Sequence, residues 1–126
     1  MTAEQRALIQ TAVDDLRAAQ DLMRTGANGF AIARAYHAML CGAEALLLRD
    51  GLRFTTHAEV IPAFNREWVK TGRMPAEYYR YLIEAGDSQR MGIHVTVPAA
   101  AAEEALRHAT TFLAHVWDVL RTTTAA

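Results

Sequence analysis

Residues 30–50 read FAIARAYHAMLCGAEALLLRD, and the placing of their apolar side chains decides the fold. Ile32, Ala33, Tyr36, Met39, Leu40, Ala43, Leu46, Leu47 and Leu48 cover most of the circumference of a helix. A helix apolar nearly all round lies at the centre of a bundle or against a second subunit. Both are expected here, because a single small bundle rarely encloses one helix completely. Gly51 ends the segment.

Upstream, Thr2-x-x-Gln5 has the form of a capping box. Leu8, Ile9, Ala12, Val13, Leu16, Ala19 and Met23 then recur at helical spacing, with Arg6, Gln10, Asp14, Arg17, Asp21 and Arg24 opposite them. Thr25-Gly26-Ala27-Asn28-Gly29 stops this first helix, since glycine and asparagine accept the left-handed backbone of a helix end. Downstream, Leu52 to Thr55 leads to a second box, Thr56-x-x-Glu59. Pro62 must kink the next helix or mark its true start, because it has no amide donor and collides with the preceding turn.

Phe64, Trp68 and Val69 carry the apolar stripe on to Thr71-Gly72. Pro75 suits the first turn of a fourth helix, Ala76 to about His94, with Tyr78, Tyr79, Leu82 and Ile83 inward and Gly86 and Gly92 weakening its second half. Thr96-Val97-Pro98 opens a fifth, striped by Ala102, Ala105, Leu106, Ala109, Phe112, Leu113, Val116, Trp117 and Leu120. No stretch alternates as a strand would. The expected fold is an all-α antiparallel bundle of four to five helices, one domain over residues 1–121, with residues 122–126 a frayed tail.

The size of 126 residues and a 52% hydrophobic content leaning on Ala and Leu suit one such domain. With a net charge of -1 and a pI of about 6.5, the chain has no global basic field for long nucleic acid. RNA contact must then be local, or built across an oligomer. The single cysteine, Cys41, excludes an internal disulfide. The first residues lack the basic head and apolar run of a signal peptide, and no uninterrupted apolar stretch reaches the roughly 18 residues of a span. The expectation is a cytoplasmic protein with no membrane partner.

The chemistry-bearing residues are few. Arg90 and His94 lie one helical turn apart, a fixed fork of donors beside a group that exchanges protons near neutral pH. The same spacing also describes a solvated helix end, where cations are favoured near the last carbonyls. Arg34 reads as an ion-pairing residue of the central helix, with Glu44 or Asp87 as partner, or as a phosphate ligand. His37 and Cys41, one turn apart, suit a nucleophile with its base or two zinc ligands. No third and fourth ligand stand at a recognisable spacing, so no metal or other cofactor is expected and Cys41 reads as a small buried hydrophobe.

His57 borders a capping threonine, and His108 and His115 read as surface residues of the last helix. Arg49, Arg53, Arg66, Lys70 and Arg73 mark either an ordinary charged surface or a track for an RNA backbone. The candidate RNA- or nucleotide-binding set is Arg34, His37, His57, Arg53 and Lys70.

Three stretches together resemble the small bacterial members of the HEPN domain family. Arg34-Ala35-Tyr36-His37-Ala38-Met39, followed by Ala43 and Ala45-Leu46-Leu47, is similar to the family's Arg-x-Tyr-Tyr-Ala-Met run, with His37 in place of the second Tyr. Thr56-His57, Val60, Phe64 and Val69-Lys70-Thr71-Gly72 resemble its next segment. Arg90 and His94 fall where the family places its active-site Arg and His. The resemblance covers roughly residues 15–120.

It implies a bundle that dimerises through the central helices and a cleft where Arg and His of both subunits cut RNA without metal. His94 would activate the ribose 2′-hydroxyl and Arg90 would stabilise phosphate charge. It also implies a place in a toxin–antitoxin or defence module beside a minimal nucleotidyltransferase from an adjacent gene. The alternative role is a non-catalytic partner of that transferase, or a nucleotide-binding module. Two departures stand out: three residues separate Arg90 from His94, fewer than the family's usual gap, and Thr96 stands where modified relatives carry Tyr.

Overall fold

The computed structural model describes residues 1–91 and 96–122. Its helices are α1 (Ala3–Arg24), α2 (Asn28–Arg49), α3 (His57–Phe64), α4 (Ala76–Met91) and α5 (Ala99–Thr122), with a π-helical turn, Asn65–Val69, continuing α3. No strand occurs among the described residues. The architecture is the all-helical bundle expected.

α2 packs on each of the other four helices, which explains why its sequence is apolar over most of its circumference. Its small residues Ala31, Ala35, Ala38, Ala43 and Ala45 are buried and let neighbouring backbones close in, while Ile32, Met39, Leu40 and Leu46 fill the space between. Gly42 marks the tightest approach. A Cβ there would lie 2.9 Å from Leu113 Cδ2 and 3.3 Å from Phe112 Cε1 of α5. α2 has the length and hydropathy of a membrane span, yet 67% of that window is buried inside the bundle. One protomer therefore covers most of the apolar surface of this helix; among its large apolar side chains Phe30, at its start, stands out in solvent, as do Arg34 and Arg49.

The Thr2–Gln5 capping box forms in full, and Gln5 reaches inward to donate to the Ala45 carbonyl of α2 at 3.1 Å. Other boundaries differ from the sequence reading. Asn28 and Gly29 belong to α2 rather than to the stop before it; Gly26, at φ 80°, makes the turn alone, and Asn28 donates to the Val97 carbonyl. Thr56 caps α3 without a side-chain bond, so its box with Glu59 does not form. Pro62 lies inside α3 on its exposed side, where a missing amide leaves one carbonyl to water.

The π turn follows, closed by the Lys70 amide on the Asn65 carbonyl. It buries Trp68 under the Arg73 guanidinium, 3.8 Å above the ring. Ile83 and Trp117, read as core, are partly exposed at 37% and 42%. α4 is described to Met91, and α5 takes in Thr122 from the expected tail.

Candidate functional site

Arg90 occupies the last turn of α4, where the side chain of a cation meets the helix carbonyls favourably. Its guanidinium pairs with Asp87 one turn back, and both side chains are largely in solvent. Tyr36 of α2 comes up beside this turn because Gly86 has no side chain; a Cβ there would sit 3.2 Å from the Tyr36 ring. Burial raises the Tyr36 phenol above its ordinary range, with Arg90 opposing and Asp87 adding to the shift. Ile83, Asp87, Arg90 and Met91 follow one another at helical spacing, so a charged pair stands within an exposed apolar stripe. His94 lies outside the described residues.

A second polar cluster gathers where α2 meets α1. Asp15 of α1 is buried and uses both oxygens: Arg34 donates to Oδ1 at 3.1 Å, and His37 Nδ1 is 2.5 Å from Oδ2. The partner of Arg34 is thus Asp15, not Glu44 or Asp87. Glu44 instead lies 3.3 Å from His57 Nε2, and the His37 and His57 rings are 5.4 Å apart. Cys41 Sγ is 3.9 Å from His37 Nδ1. Its thiol is pushed up to about 12, first by burial and then by the charges of Glu44 and Asp15. Asp15 supplies the third donor that spacing along one helix did not reveal.

Of the candidate binding residues, Arg34, His37 and His57 come together, and Arg53 and Lys70 do not join them. Arg53 pairs with Glu4 on α1, and Lys70 is exposed beyond the π turn. Arg66 pairs with Glu67, and Arg73 makes a two-pronged pair with Asp50. Carboxylates therefore answer much of the positive charge that the sequence offered as an RNA track. His108 and His115 are not free surface residues. His108 stacks flat on Tyr81 with centroids 3.8 Å apart, and His115 meets the edge of Tyr78.

The model of the HEPN domain family matches residues 5–119. A UPF0332 protein of Thermotoga maritima is 39% identical over 62 residues, 49% of this chain and 47% of that protein. The chain thus spans about half the length of that relative. In Methanocaldococcus jannaschii a protein named "Putative toxin MJ0605" is 35% identical over 81% of this chain and 75% of its own length. The crystal structure of TT1696 from Thermus thermophilus superposes with a TM-score of 0.75 at 21% identity, over 93% of this chain and 98% of that one, a likeness of fold. With a family match from the first turn of α1 into the last turn of α5, this chain belongs to the HEPN domain family.

Proposed function

We propose that this chain is the HEPN-type effector of a toxin–antitoxin or defence module, a cytoplasmic homodimer that binds RNA and cuts it without a metal. The observation that carries the reading is Arg90, a solvated guanidinium on the final turn of α4 with apolar Ile83 and Met91 exposed along the same stripe. Burying two such stripes against each other across a twofold axis removes apolar surface from water and brings two guanidinium groups together. The relative named as a toxin supports the biological setting.

In the proposed reaction His94 takes the proton of a ribose 2′-hydroxyl, whose oxygen attacks the adjacent phosphorus. Arg90 releases Asp87 and binds the phosphate oxygens as negative charge builds on them. The 5′-oxygen leaves and takes up a proton, which yields a 2′,3′-cyclic phosphate and a 5′-hydroxyl end. The changes Arg90→Ala and His94→Ala are each expected to abolish cleavage while the helical circular dichroism signal is kept. End-group analysis of RNA incubated with the purified protein in chelator checks this, and equal cutting by both variants refutes the assignment.

The second reading, a non-catalytic partner of a minimal nucleotidyltransferase, is favoured by the Asp87–Arg90 pair, which occupies the guanidinium a phosphate would need. It predicts no cleavage and a stable heteromer with that transferase on size exclusion.

A further inference from the structure

Arg34, His37, Cys41 and Glu44 fall at intervals of three, four and three along α2, so they share one side of the helix, and α1 lays Asp15 against that side. Three chemically different donors then converge. Asp15 Oδ2 and Cys41 Sγ lie 2.5 Å and 3.9 Å from the same nitrogen, His37 Nδ1, and all three atoms are within 4.8 Å of one another. We propose that Asp15, His37 and Cys41 bind one thiophilic divalent cation of the zinc class, at a site separate from Arg90 and not used by the RNA chemistry.

The arrangement suits coordination better than nucleophilic catalysis. A Cys–His–Asp relay places thiol and carboxylate on opposite ring nitrogens, so that a proton taken at one is balanced at the other. Here both face Nδ1, which is convergence on a point. Zinc bonds of about 2.0 Å to nitrogen and oxygen and about 2.3 Å to sulfur put tetrahedral donors roughly 3.2–3.6 Å apart. The sulfur–nitrogen pair need close by only a few tenths of an ångström. The oxygen–nitrogen pair must open by about 0.7 Å on the same geometry, a movement within reach of the His37 side chain, which is 40% exposed.

Asp15 is the fixed member. Its side chain is 4% exposed, and Arg34 holds the oxygen that the ion would not use. Water has access from the His37 side to complete the coordination. A divalent ion bound at that point takes the place of the thiol proton, so binding releases a proton to solvent. A second group, Glu84, Glu104 and His108, is the weaker candidate: its two carboxylates are solvated and its histidine is stacked on Tyr81.

The test is titration of the reduced, chelator-stripped full chain with cobalt(II) under anaerobic conditions. One cobalt per chain is expected, with a thiolate-to-cobalt charge-transfer band and the ligand-field bands of a four-coordinate site, all bleached by zinc(II). Cys41→Ser should remove the charge-transfer band, and His37→Gln should weaken cobalt binding on the order of a hundredfold. Glu104→Gln should leave the titration unchanged. Melting curves confirm that each variant is folded, with Cys41→Ala as the alternative should Cys41→Ser not fold. Absence of a charge-transfer band at saturating cobalt, or an affinity unchanged by both ligand substitutions, overturns the proposal. Cleavage assayed in chelator is independent of this site, so either idea can fail alone.

Discussion

Asp15 shows what a single residue can hide from a reading along the chain. On α1 it belongs to the buried face, but the sequence offers no sign that its carboxylate is shared by Arg34 and His37, which follow 19 and 22 residues later. Spacing within one helix exposed the His37–Cys41 pair and missed the donor across the helix interface. The same blindness applied to His108 and His115, whose tyrosine partners stand on α4. Cys41, in contrast, was legible as a small buried thiol, and its burial has a measurable consequence. An unfolded thiol loses its proton near 9, whereas the folded one holds it to about 12. In metal-free protein the folded state therefore binds the extra proton across that window. Stability should be complete below pH 9 and fall as the pH climbs toward 12. Tyr36 and Tyr78, also raised by burial, add to the alkaline loss in parent and variant alike. Urea unfolding across this range should show a flatter alkaline limb for Cys41→Ala than for the parent, and identical limbs would refute the assignment.

Among the elements, α2 was the most legible because its periodicity is long and apolar residues cover most of its circumference. What the pattern did not convey is how much of its apolar surface one protomer would bury. The reason is the number of alanines, which let four helices crowd round one axis. Boundaries were read less well. Gly and Asn mark helix ends on average, yet Asn28 begins α2 and bonds to Val97 on a distant loop, a tertiary contact invisible in sequence. Pro62 was expected to kink the third helix or mark its start, whereas α3 begins five residues earlier at His57 and runs through it; the π turn three residues later was not foreseen. The closest contact of α2 with α5 gives a test at this scale. Gly42→Leu must push Leu113, Phe112 and Val116 aside in a core already filled. It should destabilise the fold by about 1–3 kcal/mol, the usual cost of overpacking, as read by the midpoint of denaturant unfolding. An unchanged midpoint would mean that α5 yields freely.

For the molecule as a whole, the order of three short motifs pointed to the HEPN family, and the match over residues 5–119 bears that out. Beside Arg90, Met91 is largely and Ile83 partly exposed. The proposed homodimer covers both. Light scattering should give twice the chain mass of 13.9 kDa, and Ile83→Asp together with Met91→Asp should return the monomer by burying unpaired charge. A dimer unaffected by both changes would move the interface elsewhere. RNA cleavage by the purified protein in chelator is the deciding measurement. Fragments ending in 2′,3′-cyclic phosphate are expected, and they should vanish with Arg90→Ala and with His94→Ala. Intact RNA in every preparation, or cutting undiminished by both substitutions, would contradict the proposed reaction.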